Sequence, residues 1–115
     1  MQVKPLFSLE KLSQLINGDK IAMNRFNSVF MNETVGKDLP KLRTAVDEGD
    51  YESIKKFSHK MKSSIDLYSI VIIKDVVKEV ESLASQKSDL KHIEALVALI
   101  EDTLLKVRDE MNTLN

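Results

Sequence analysis

The chain has 115 residues, of which 43% are hydrophobic and 30% charged; this is globular material with enough apolar mass for one core, not a disordered tail. Its formal net charge of −1, with both signs mixed along the sequence, gives no general attraction to nucleic acid or to an anionic membrane. No apolar run reaches the length of a membrane span, residues 1–7 lack the layout of a secretory leader, and zero cysteines exclude disulfides and thiolate metal sites. A single domain over residues 1–115, in the cytoplasm, is the expectation.

Apolar spacings of three and four recur throughout, glycine and proline are scarce, and strand-like alternation is hard to find. The chain therefore reads as all-α. Ser8 can cap a short first helix carrying Leu9, Leu12, Leu15 and Ile16, which Asn17-Gly18 stops. Asp19 can cap a second helix from Lys20 to the low thirties, with Met23, Phe26, Val29 and Phe30 on one face. Residues 34–39 read as a break or bend around Gly36. Pro40 then suits the first turn of a third helix, whose buried face is Leu39, Leu42, Ala45 and Val46. Gly49-Asp50 couples a helix-ending glycine to a helix-starting aspartate, a turn short enough to make the flanking helices antiparallel neighbours. A fourth helix follows over residues 51–67 and a fifth over 70–85, with Ile73, Val76, Val77, Val80 and Leu83 turned inward. Ser88 or Asp89 can cap the last, whose stripe runs from Ile93 through Leu96, Val97, Ile100, Leu104 and Val107 to Met111. The expected architecture is an antiparallel up-down four-helix bundle preceded by one or two short N-terminal helices.

The stretch SHKMKSSIDLYS, residues 58–69, holds one of the two histidines. On a helical wheel, Ile54, Phe57, Ile65 and Tyr68 fall within roughly 40° of Met61, whereas His59 lies about 160° from it. A packed core histidine is excluded on that geometry: His59 faces outward. Lys55 stands four residues before it and Lys62 three after, so both ammonium groups can sit beside the ring, with Glu52, Lys56, Ser63 and Asp66 on the same face. Cations beside an imidazole favour its uncharged, nucleophilic form and offer partners to an anion attached to it. An idle surface histidine on a mixed-charge face stays open on these grounds. A metalloenzyme or hydrolase bundle would need paired inward carboxylates and histidines, which are absent; His92 reads as an ordinary solvent-facing residue.

At these residues the sequence resembles the histidine-containing phosphotransfer (HPt) domain family. The family pattern places an apolar residue at +2 from the histidine, lysine at +3, small residues at +4 and +5, and an apolar-Gly pair at +9 and +10. Here those positions are Met61, Lys62, Ser63, Ser64 and Tyr68-Ser69. Gly18-Asp19, the Phe26/Phe30 helix and Gly49-Asp50 also match, so the resemblance extends over essentially the whole chain. Serine replaces glycine at residues 63 and 69, and the polar position of the next helix, often Gln in the family, falls near Glu81, a carboxylate expected to repel phosphate.

The resemblance implies that His59 accepts a phosphoryl group from an aspartyl phosphate on one receiver domain and passes it to another, as a phosphocarrier and not a turnover enzyme. It casts Lys62 as the residue that steadies the phosphate, with Lys55 as a second candidate, and Ser63, Lys56 and Asp66 as the receiver-docking surface. Response-regulator receivers and a hybrid sensor histidine kinase are the implied partners. No cofactor or metal is expected on this chain, Mg²⁺ belonging to the receiver, and a monomer is expected. The competing reading is a helical docking module that keeps the bundle without the phosphohistidine; an acid-labile, base-stable phosphate on His59 distinguishes the two.

Overall fold

The computed structural model describes residues 5–113; residues 1–4, on which the expectation of no leader partly rests, and 114–115 lie outside them. Among the described residues the chain is helical without strands: α1 (Glu10–Leu15), α2 (Lys20–Val29), a π-helical segment (Phe30–Asp38), α3 (Leu39–Asp47), α4 (Tyr51–Leu67), α5 (Val71–Ser85) and α6 (Leu90–Asn112). One hydrophobic cluster holds them together. It is built from Leu12 of α1, Leu42 and Val46 of α3, Ile54, Met61 and Ile65 of α4, Ile73, Val77 and Val80 of α5, and the stripe of α6 from Ile93 to Met111. α4 packs chiefly against α5, α5 against α6, and α3 against both α4 and α6.

Helix starts follow the sequence signals. Asp19 accepts from the Ile21 and Ala22 amides, Asp50 from the Ser53 amide and Asp89 from the His92 amide, each satisfying amides that a helix start leaves orphaned. Ser8 accepts from the Glu10 amide, although Leu9 is the residue at the cap position itself.

The segment read as a break at Gly36 is a correction. Helix is continuous from α2 through α3, and the chain widens into π turns instead of bending away. Phe30, Thr34, Val35, Asp38 and Leu39 are all buried, at spacings of four and five that suit a π turn better than an α turn. The widening also shifts which face points inward. Phe26 and Val29 of α2, expected on the same buried face as Phe30, are 38% and 58% exposed, while Phe30 is buried. Leu15 of α1 is likewise exposed.

The turn after α4 fixes the far end of the site. Tyr68 is buried against Phe30, ring centroids 4.4 Å apart, and its hydroxyl donates to Asn27 Oδ1 at 2.8 Å. Burial pushes the phenol pKa up to about 12. Ser69 then closes the helix: its amide donates to the Asp66 carbonyl and the Ile70 amide to the Ile65 carbonyl, the paired bonds of a Schellman ending. Ser69 does so at φ 53°, a left-handed conformation that costs a residue with a Cβ about 1–2 kcal/mol. Ser69→Gly should therefore stabilise the protein by about 1 kcal/mol, read as a raised urea midpoint with an unchanged slope. A lowered midpoint would show that the serine hydroxyl contributes more than the backbone strain costs.

Candidate functional site

His59 projects from the middle of α4, its side chain 70% exposed, as the wheel requires. The preceding residue of the same helix, Ser58, is buried, its hydroxyl donating to the Ile54 carbonyl at 2.7 Å, so a polar residue on the core side is satisfied by its own helix. The imidazole is not idle. Nδ1 lies 2.5 Å from Glu81 Oε2 on α5, and the other oxygen of that carboxylate accepts from Lys62 Nζ at 2.9 Å. Burial pushes the Glu81 carboxyl up, but the bonds from Lys62 and His59 outweigh it and hold the pKa below the ordinary 4.5. An ionised carboxylate can only accept, so Nδ1 carries the proton, and in the uncharged form of the ring the lone pair is on Nε2.

The three residues therefore form one unit. Lys62 fixes Glu81, Glu81 fixes the ring and its tautomer, and Nε2 is the ring nitrogen left without a hydrogen-bond partner among the described residues. Glu81, expected to repel phosphate as a carboxylate, has its charge engaged within the site by Lys62 and His59.

The register of the α4–α5 hairpin explains the meeting. His59 and Glu81 stand at equal sequence distances from Ile70, as do Lys62 and Lys78, and Asp66 and Lys74. In two helices folded back about a tight turn, such positions come level. Asp66 and Lys74 accordingly pair at 3.1 Å, with Lys11 of α1 on the other carboxylate oxygen at 2.9 Å; the bonds from Lys11 and Lys74 hold the Asp66 carboxyl below its ordinary range. Lys62 and Lys78 would face one another as like charges, and Lys62 turns to Glu81 instead.

Two shallow concavities meet at the histidine. One is lined by His59, Lys62, Ser63, Asp66, Lys74 and Lys78, the other by Glu52, Lys55, Lys56 and His59. Ser63 is exposed one turn along from His59. Lys56 lies over the Phe57 ring, 5.4 Å from its centroid. Lys60 faces round toward the π segment, 3.1 Å from Oδ1 of buried Asp38, an ion-pair distance without the alignment of a hydrogen bond; Ser64 receives a bond from Thr34 on the same side. His92 lies on α6, its Nε2 3.0 Å from Glu79, away from these concavities. Lys74 and Lys78 were not anticipated as part of the site. Their signal was the hairpin register, which sets them opposite α4 residues already singled out.

The Glu81 contribution has a definite pH sense. Its folded pKa is lowered, so the stabilisation is fully present above the ordinary glutamate value and is lost as pH falls through the lowered one. Wild type should exceed Glu81→Gln in stability near neutrality, and the gap should close as pH falls below the ordinary glutamate value and through the lowered one. Urea melts across that range check it; a gap independent of pH would mean the carboxylate charge contributes nothing.

The Hpt domain family model matches residues 31–110, a span that includes all but the first residue of the π segment, α3, α4, α5 and most of α6 and leaves α1 and α2 outside, a narrower extent than the whole-chain resemblance. Comparison with curated proteins and comparison with solved structures each returned no match. A histidine on α4 within that span, with lysine one turn on and a polar partner on the next helix, is what the match encloses, and the chain belongs to the Hpt domain family, whose members carry out histidine phosphotransfer in two-component signalling.

Proposed function

We propose that the protein is a phosphorelay intermediate in which Nε2 of His59 accepts a phosphoryl group from a receiver-domain aspartyl phosphate and returns it to the aspartate of another receiver. The observation that carries this reading is the Glu81 carboxylate on Nδ1 of an imidazole that is 70% exposed. The Nε2 lone pair attacks phosphorus, the P–O bond to the donor aspartate breaks, and the carboxylate leaves with the electron pair. Nδ1 keeps its proton throughout, so the phosphorylated ring carries a positive charge that Glu81 offsets. In onward transfer an acceptor carboxylate attacks phosphorus and the P–N bond pair returns to Nε2, regenerating the neutral ring. No acid or base is consumed. The transfer needs positioning and charge compensation more than proton transfer, which suits a phosphocarrier.

On this reading the four long helical stretches form the antiparallel up-down bundle, and the exposed face around Ser63, Lys56 and Asp66 receives the partner. Response-regulator receivers and a hybrid sensor histidine kinase are the partners, the receiver supplies Mg²⁺, and the protein works as a cytoplasmic monomer. Lys62 adds positive potential beside the ring and steadies Glu81; Lys55 adds to the field on the other side. The pairing of Glu81 with Lys62 and His59 supports the relay reading over the inert docking module, in which a bare carboxylate beside the histidine would oppose a phosphate.

The test is incubation with a panel of receiver domains carrying ³²P at their aspartates. The expected result is an acid-labile, base-stable label on this protein from at least one receiver. Retention of label by every receiver, with none on this chain, would favour the docking module.

A further inference from the structure

We propose that Lys78 of α5 is the side chain that holds the phosphoryl group on His59, and that Lys62 acts one step removed as the residue positioning Glu81. The inference rests on the phosphohistidine reading above and assigns its charge partner.

The charged groups around the ring differ in how far they are already engaged. Each carboxylate of the groove between α4 and α5 is engaged twice: Glu81 by Lys62 and His59, Asp66 by Lys11 and Lys74. Lys62 is thereby spent on a carboxylate, 31% exposed and bonded at 2.9 Å, and its release to a phosphate would free the residue that fixes the nucleophile. Lys78 lines the same groove as His59, is exposed, and has no carboxylate within ion-pair distance among the described residues. Register places it level with Lys62, one turn of α5 before Glu81.

Lys55 is unpaired by the same measure, but it shares its concavity with Glu52, a carboxylate that no ion pair engages among the described residues, and that charge weakens its hold on an anion. Lys56 is drawn over Phe57. Asp75 stands three residues before Lys78 as Glu52 does before Lys55, but it does not line the groove that holds His59; within that groove a dianionic phosphoryl group on Nε2 meets its least compensated cation in Lys78, and an ammonium serves there as a point charge with three donors.

Potassium phosphoramidate, a direct chemical phosphorylating agent for histidine, tests this without any partner protein. Nε2 attacks its phosphorus, the P–N bond breaks and ammonia leaves. Formation of phosphohistidine at His59, followed by ³¹P NMR, should be about tenfold slower in Lys78→Ala than in wild type, and Lys78→Arg should recover most of the rate. In the Glu81→Gln background Lys62 is no longer bound to a carboxylate and can take over the phosphate. The same Lys78→Ala change should then cost much less, which a general loss of surface charge or of folding does not predict. Circular dichroism confirms that each variant is helical.

Wild-type rates in Lys78→Ala, with a tenfold loss in Lys62→Ala, would overturn the assignment and return the phosphate to Lys62. Equal losses from Lys78→Ala in both backgrounds would also overturn it. Failure of the relay reading has a different signature: wild type modified by phosphoramidate at His59 yet unlabelled by every phosphorylated receiver.

Discussion

Replacing His59 with glutamine is expected to abolish phosphoryl acceptance while changing stability by no more than about 0.5 kcal/mol. Both halves come from one geometry. The side chain is 70% exposed, so little apolar burial is lost, and a glutamine amide can still donate to Glu81, so the carboxylate keeps a partner in addition to Lys62. What disappears is the nucleophile, since an amide nitrogen offers no lone pair of imidazole reactivity. Thermal melts and transfer from a ³²P-labelled receiver, run on the same sample, check the two halves. A large fall in melting temperature would mean that His59 supports the α4–α5 packing, and residual acid-labile label would place the acceptor elsewhere.

The second large effect is expected at Ser63. It stands one turn beyond His59, exposed, on the rim of the groove that contains the ring. A partner bringing its aspartate to Nε2 must pass over this position, and a misplacement of about 1 Å can cost on the order of 100-fold in rate. Serine projects only a hydroxymethyl group. Ser63→Gln should therefore reduce transfer from a receiver by about 100-fold with little change in stability, while Ser63→Gly remains active. Chemical phosphorylation of Ser63→Gln by phosphoramidate should stay near the wild-type rate, because a small donor needs no docking surface. Undiminished receiver transfer in Ser63→Gln would move the docking face away from this rim.

These expectations depend on parts of the molecule that differed in how clearly the sequence announced them. The limits of α4 were readable because two independent signals coincide at Gly49-Asp50: Gly49 adopts φ 65° and Asp50 caps the helix through the Ser53 amide. The outward aim of His59 followed from the buried neighbours alone, since Ile54, Met61 and Ile65 leave it only one direction. The π segment was not readable in the same way. Thr34, Val35 and Gly36 are weak helix formers, and a glycine among them reads as a stop. Continuous helix through this region is a tertiary outcome: the wider turn buries Phe30, Thr34, Val35 and Asp38 together.

Glu81 shows a different limit. Its position is legible in the sequence, but the family pattern sets it against a phosphate alone, whereas its nearest groups are an imidazole and an ammonium. A carboxylate between two hydrogen-bond donors organises a site; facing only an incoming anion, it would oppose one. Lys78 was hidden for a simpler reason. A lysine on the polar face of an amphipathic helix looks like solvation, and only the pairing of α4 with α5 about Ile70 sets it beside His59.

The central claim is that the phosphoryl group is carried on Nε2 of His59 because Glu81 occupies Nδ1. The most direct measurement is NMR of protein labelled with ¹⁵N at histidine and phosphorylated by phosphoramidate, reading which ring nitrogen couples to phosphorus. The account predicts coupling to Nε2 of His59, with the Nδ1 proton retained. Coupling to Nδ1 of His59, or a phosphate found only on His92, would contradict it.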